Sequence, residues 1–312
     1  MMIRCLIVLA SLLFSDAVAI GQESPASLLG WSELPQLPDS LGVAGPFAGV
    51  HHDALIVAGG ANFAKPVWEH DKAWHDSIHV LVRDDAGYRW IDGGRLRRPI
   101  AYGAAVSTAD GVVCMGGNDD EETFRDVFLL QFDRATESVQ VVDFPPLPDP
   151  CAFASAALLG EVIYLVAGQQ GSSLDTATNQ VWTLDLSKRD IAEEFLWQRL
   201  EPMPAPTRAL HLTVAQHDGY TPAIYVISGR RQEGESVEFL RDVWQYTPST
   251  GNWRRRAEVP RCVMAGTGME MGQSHLFVFG GADGSLFHQA DQLQDEHPGF
   301  PKEAWAYHTI TD

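Results

Sequence analysis

The chain has 312 residues, 45% of them hydrophobic, and carries 22 Lys and Arg against 41 Asp and Glu, for a formal charge of −19. That is ample apolar material for a large core, and the lack of a basic footprint argues against nucleic acid as a partner. The acidic balance also provides no long-range attraction for an anionic substrate, so any anion site has to be a local Arg or Lys cluster.

Arg4, the short apolar run Cys5 to Phe14 and the small-residue stretch Ala17-Val18-Ala19 read as a secretory signal. Residues 1–19 are therefore predicted to be removed and residues 20–312 to form the exported chain, periplasmic or secreted. The apolar run is too short to span a bilayer, and no later stretch is long enough, so no membrane insertion is expected after cleavage. Three cysteines then remain, Cys114, Cys151 and Cys262, predicted as buried free thiols that pack as small hydrophobes, with one disulfide between two of them the alternative in an oxidising compartment. No Cys-x-x-Cys spacing suggests zinc.

From there the chain repeats one pattern five times. A run of strand formers ends in a Gly-containing turn, a loop follows, and a second strand begins near an acidic residue. The copies are Ala54–Gly60, Val112–Gly117, Val162–Gly168, Ile224–Gly229 and Leu276–Gly281, roughly 50–60 residues apart, the period of kelch repeats. The fold class is thus all-β, a kelch-type β-propeller of four-stranded antiparallel blades in one domain, because no copy can bury its apolar face without neighbours.

In the first blade the predicted strands are Pro46–His52, Ala54–Gly60, Ser77–Val82 and Tyr88–Asp92. The second has Tyr102–Thr108, Val112–Gly117, Asp126–Phe132 and Ser138–Asp143. The third has Ala152–Leu158, Val162–Gly168, Gln180–Leu186 and Leu196–Leu200. The fourth has Leu210–Gln216, Ala223–Gly229, Asp242–Tyr246 and Trp253–Arg256. The fifth has only Ala265–Met271, His275–Gly280 and Glu303–His308. The proline-rich joints 145–148 and 202–206 cannot continue a central strand and mark blade boundaries. Trp31–Pro38 matches the fourth-strand pattern seen from Trp197 to Pro204. It is predicted to close the last blade, the usual way in which a propeller seals its ring.

Ser40-Leu41-Gly42-Val43-Ala44-Gly45-Pro46-Phe47-Ala48-Gly49, followed by Ala58-Gly59-Gly60-Ala61-Asn62-Phe63, resembles the N-acetylneuraminate epimerases (sialic acid mutarotases) in their circularly permuted branch. Ala101-Tyr102-Gly103, Cys114-Met115-Gly116-Gly117 and Met264-Ala265-Gly266 support the likeness. Asp242-Val243-Trp244-Gln245-Tyr246 and Gly251-Asn252-Trp253 are generic kelch elements. The resemblance implies a six-bladed, exported propeller that interconverts the anomers of a sugar acid, a small-molecule substrate, by acid–base ring opening and reclosure, with no cofactor. It also implies a Gly-Glu-x-x-Pro-Gly-x-Arg motif whose Glu is the proton acceptor. That motif is not found in this sequence; the permuted order would put it beyond Asp312, so the expectation is either a propeller lacking a C-terminal repeat or a five-bladed variant without that Glu and Arg pair. The alternative function is a kelch propeller that binds a sugar or a protein without chemistry. A copper-radical oxidase would need a Tyr–Cys pair with further Tyr and His ligands, and no convincing set is present.

Among the residues themselves, Arg230 and Arg231 follow the second strand of the fourth blade and are candidates for holding an anion. Their bland reading is a surface pair or a bond to Asp242. Arg208, before an inner strand, is placed to point into the channel. Asn62, Asn118 and Gln169 stand just after the Gly turns of successive blades, and equivalent polar residues there suggest a ring of hydrogen-bonding groups. Turn chemistry explains them equally well. Lys65 and Asp119 are weaker companions. His211, a weaker candidate, is placed to enter the channel from an inner strand and act as a base. His51 and His52 are adjacent on a strand and should point to opposite faces, so they cannot chelate one metal together. His70, His75 and Asp76 read as packing or solvent contacts. No metal site is expected.

Overall fold

The computed structural model describes residues 30–311. The predicted signal, residues 1–19, lies outside them. The chain divides into a short N-terminal unit ending at Leu34 and a main unit, Pro35–Asp312.

The first sheet of the main unit pairs β1 (Phe47–His51), β2 (Ala54–Ala58), β5 (Ser77–Asp84) and β6 (Gly87–Arg95). Between its second and third strands stands a separate hairpin of β3 (Ala61–Phe63) and β4 (Lys72–Trp74). The second sheet holds β7 (Ala104–Thr108), β8 (Gly111–Met115), β9 (Val127–Asp133) and β10 (Ser138–Asp143). The third holds β11 (Ser155–Leu159), β12 (Val162–Val166), β13 (Val181–Asp185) and β14 (Gln198–Arg199). The fourth holds β15 (Leu212–His217), β16 (Pro222–Glu233), β17 (Ser236–Thr247) and β18 (Asn252–Arg256). The fifth has three strands, β19 (Thr267–Met271), β20 (His275–Phe279) and β21 (Ala304–His308). All neighbours in these sheets are antiparallel. The chain is a β-propeller of five kelch-type blades, with the inner strands β1, β7, β11, β15 and β19 side by side in that order.

The packing follows from alternation along each strand, which sends every second side chain to the neighbouring blade. Phe47, Ile56, Ile78 and Val80 of the first blade meet Val112, Cys114, Phe128 and Leu130 of the second. Val113, Met115 and Leu129 on the other face of the second meet Ile163, Leu165, Trp182 and Leu184 of the third. Val166 and Val181 of the third meet Val226 of the fourth, with Tyr164 against Ile224 and Tyr246 beside them. Leu212, Tyr225, Ile227 and Val243 of the fourth meet Leu276, Val278 and Tyr307 of the fifth. Each fully buried side chain of this kind stabilises by about 1.5–3 kcal/mol, which is why no blade stands alone.

The inner strands of blades two to five begin later than predicted, for one reason. The residue two places before each is in the left-handed region: Tyr102 (φ 60°), Phe153 (55°), Leu210 (58°) and Ala265 (50°), with Gly45 (60°) at the matching place in the first blade. These five residues form a girdle of backbone hydrogen bonds from blade to blade. Tyr102 N–H donates to the Gly45 carbonyl (2.7 Å), Phe153 to Tyr102 (2.7 Å), Leu210 to Phe153 (2.9 Å) and Ala265 to Leu210 (3.3 Å).

Residues 31–38 form no strand, and the fifth sheet stays three-stranded, so the predicted closure is corrected. Pro35 and Pro38 lack the N–H that a ladder needs. The Pro35 carbonyl instead accepts from Trp90 Nε1 of the first blade (2.9 Å), just as the Pro145 carbonyl accepts from Trp197 Nε1 of the third (2.9 Å). With respect to blade one, the segment from Pro35 is the preceding joint. The girdle is open to match: among the described residues, no carbonyl accepts from Gly45 N–H and no N–H donates to the Ala265 carbonyl.

Candidate active site at the mouth of the channel

Small residues at the start of the inner strands and just before them (Gly103, Ala104, Ala154, Ser155, Gly266 and Gly268) leave a cavity of about 370 Å³ on the propeller axis. This is within the usual size range of small-molecule sites. All five girdle residues line it, together with His211 and Thr213. Each left-handed non-glycine residue costs on the order of 1–3 kcal/mol, and such strain gathers at functional sites. Here four of them surround one cavity.

The wall on one side is aromatic. The Tyr102 and Phe153 rings stack at 4.8 Å with 28° between their planes, and Trp74 meets Tyr102 edge-on at 5.7 Å. Gly45 makes room for this wall. A Cβ there would sit 2.3 Å from Tyr102 Cδ1, on a backbone at φ 60°. The β3–β4 hairpin supplies Trp74 and is tied down by a polar cluster. The Asn62 amide donates to Asp39 Oδ2 (3.0 Å) and to the Gly42 carbonyl (2.8 Å), and its Oδ1 lies 2.9 Å from His75 Nε2.

His211 is buried, and neither ring nitrogen makes a hydrogen bond of ordinary geometry; the hydroxyl of Thr213 is likewise unpartnered. Burial, reinforced by the nearby Arg208 charge, pushes the His211 pKa down to about 3, which the Val166 backbone and Asp242 oppose without offsetting. The imidazole is therefore neutral, with one nitrogen able to donate and the other to accept.

Arg208 does not reach into the cavity. It is fully buried, and its guanidinium grips Asp242 with two bonds (3.0 and 2.8 Å) and the Ser228 carbonyl with a third (3.0 Å). The bond to Asp242 thus belongs to Arg208, not to Arg230 or Arg231. Arg231 lies on the extended β16–β17 arm and is paired with Glu233 and Glu238 of the same hairpin, each at 2.5 Å. An anion role for Arg208 or Arg231 is corrected on these grounds, since their charges are already matched by carboxylates.

The predicted ring of polar residues is shifted in the first blade. The positions bridged to the segment before each inner strand are Ala61, Asn118, Gln169, Arg230 and Ala282. Asn62 is one residue beyond that place, and Arg230 stands in it. Each polar member keeps an unpaired buried atom: Asn118 Oδ1, Gln169 Oε1 and Arg230 Nε. Asn118 and Gln169 otherwise donate to carbonyls of their own loops. The Arg230 guanidinium lies 5.5 Å from the Phe287 ring, and burial lowers its pKa. Asp119 caps its own loop by accepting from the N–H groups of Glu121 and Glu122.

His51 and His52 do not diverge as predicted. The strand ends at His51, His52 turns left-handed (φ 49°), and the two rings stack at 3.8 Å. Both engage Phe132: His51 Nδ1 accepts its N–H (3.0 Å), and His52 Nδ1 lies 3.1 Å from its carbonyl. Among the described residues, no group of three or more His, Cys, Asp or Glu could hold a metal ion. Cys114, Cys151 and Cys262 are buried and unbridged. Burial raises all three thiols, Cys151 to about 12.

Fold and cavity together define a kelch-type β-propeller with a strained, aromatic-walled pocket on its axis. Residues 13–139 match the family described as N-acetylneuraminate epimerase, so the resemblance read from residues 40–63 is shown over the first blade and most of the second. The N-acetylneuraminate epimerases of Brucella suis and Brucella melitensis are each 39% identical over 124 residues, 35% of this chain and 31% of theirs. That of Yersinia enterocolitica is 34% identical over 110 residues, 30% of this chain and 27% of its own. The matched stretch thus spans about a third of the length of these relatives. A solved structure described as "Structure of YjhT" superposes with a TM-score of 0.65 at 15% identity over 82% of each chain; it shares the fold.

Proposed function

We propose that this protein interconverts the anomers of N-acetylneuraminate in the channel-mouth pocket. The observation that carries the reading is His211, a neutral imidazole with both nitrogens unengaged on the wall of a sugar-sized cavity. The similarity of residues 13–139 to the epimerases supports it. In the reaction, a base takes the proton of the anomeric hydroxyl while an acid protonates the ring oxygen. The bond between ring oxygen and anomeric carbon breaks, a carbonyl forms, and the hydroxyl re-adds to its other face. Placed acid and base groups contribute about 10²–10⁴-fold. His211 accepts the proton in this scheme. We further propose that the chain works outside the cytoplasm, after removal of residues 1–19.

The low basicity of His211 favours a second reading, a propeller that binds the sugar acid without turning it over. NMR of freshly dissolved α-N-acetylneuraminate separates the two. Faster conversion to the β form with purified protein supports mutarotation. Binding without acceleration leaves the second reading, and no binding removes both.

A further inference from the structure

We propose that Lys72 is the carboxylate anchor of this pocket, and that the stacked Tyr102 and Phe153 rings are the platform for the apolar face of an anionic sugar. The inference rests on the pocket being a sugar-acid site, and extends it to side chains whose polar ends are not used by the fold.

Lys72 lies on β4, in the hairpin beside the mouth. Its Nζ is 5.1 Å from the centre of the Tyr102 ring, 5.3 Å from Trp74 and 5.6 Å from Phe63. Tyr102 lines the cavity and stacks on Phe153, which also lines it. A row of cation, phenol and phenyl therefore runs from the hairpin to the cavity wall.

The row is rich in donors and poor in acceptors. Among the described residues, Lys72 makes no ion pair and the Tyr102 hydroxyl makes no hydrogen bond, while Trp74 Nε1 is buried without a partner. In a chain with 41 carboxylates against 22 Lys and Arg, acidic partners are plentiful. Most of its arginines have taken one, as Arg89, Arg95, Arg97, Arg199, Arg231 and Arg261 show. Aromatic faces hold a cation in place without neutralising it. Lys72 is thus positioned but still available to an anion, and the net charge of −19 makes such a local cation a requirement for any anionic ligand. Aromatic rings beside it suit the C–H face of a pyranose, and the free phenol suits its hydroxyls.

Calorimetric titration with N-acetylneuraminate and with its methyl ester tests this, using the wild type, Lys72→Gln and Lys72→Arg. The wild type should prefer the acid. Lys72→Gln should bind the acid at least tenfold more weakly and no longer distinguish it from the ester, and Lys72→Arg should restore part of the preference. Lys72 is exposed, so thermal unfolding of the variants should match the wild type. A wild type that binds acid and ester alike, or a Lys72→Gln protein that keeps the full preference, overturns the anchor. Acid binding that depends on Lys72 without faster mutarotation upholds the anchor and removes the catalytic reading. Mutarotation with an unchanged KM in Lys72→Gln does the reverse. No binding of either ligand by the wild type overturns both.

Discussion

Asp242→Asn isolates what the buried Arg208 clamp does. Arg208 is fully buried and Asp242 nearly so, and two of the four hydrogen bonds of the guanidinium end on that carboxylate. The amide keeps the shape but removes the charge and turns one acceptor into a donor facing Arg208. Breaking a buried pair by neutralising one partner leaves an uncompensated charge and costs about 3–5 kcal/mol. For a propeller of this size, that is a fall in Tm on the order of 10 °C, measured by thermal unfolding at pH 7. The pH dependence has a definite sign. Burial alone would raise the Asp242 pKa, but the hydrogen bonds and charge of Arg208, with Trp244 Nε1, outweigh it and hold the carboxyl below its usual range. Its stabilisation is therefore complete above about pH 4 and lost as the pH falls through the lowered value. The wild type should lose its advantage over Asp242→Asn in acid. A variant within about 1 kcal/mol of the wild type at pH 7, or a gap that does not close in acid, would refute the clamp.

Two further outcomes are expected. His211 is held neutral with a pKa of about 3, so between that value and about 6.5 the unfolded chain binds one more proton than the native one. Native stability should then fall as the pH drops below about 6.5, by roughly 1.4 kcal/mol per unit for this group. His211→Asn should flatten that part of a stability–pH curve from denaturant unfolding, and an unchanged slope would contradict a neutral buried imidazole. Gly45→Ala puts a methyl group 2.3 Å from Tyr102 Cδ1 at φ 60°, which should displace the ring and weaken sugar-acid binding. Affinity equal to the wild type would show that the aromatic wall is not in contact with ligand.

Most of the fold was legible because burial wrote it into the sequence. Strands such as Val162–Val166 bury nearly every side chain between blades and read as unbroken apolar runs. Every strand predicted within the five blades has a counterpart within a few residues. What escaped was structure that carries no periodic signal. The β3–β4 hairpin has three residues a side, with β4 largely exposed. The β16–β17 arm runs on past Gly229 because the register shifts there, with Ser228 left-handed (φ 63°) and its hydroxyl bonded to the Leu240 carbonyl and the Val263 N–H. At the site, His211 does line the cavity. Sequence position shows where the Arg208 and Arg231 cations begin, not which carboxylate reaches them first. Lys72 carries no sequence signal, since Phe63 and Trp74 of its own hairpin meet Tyr102 of the next blade only in the fold.

The girdle shows why the aromatic wall bears on function more than on stability. Its blade-to-blade bonds use only backbone N–H and carbonyl groups, so any residue that tolerates the left-handed region would serve, and glycine would do so without strain. Tyr102 and Phe153 accept about 1–3 kcal/mol each to adopt it. Their stacking returns about 0.5–1.5 kcal/mol, which does not by itself offset that strain. Gly45 is the converse case. There the chain has the unstrained residue, and the space where its Cβ would be holds the Tyr102 ring. Two positions accept strain to present aromatic faces to one cavity, and a third gives up its side chain to let them in. That distribution is expected of a surface built to receive a ligand, and the free ammonium of Lys72 at its edge indicates the sign of the charge that the ligand carries.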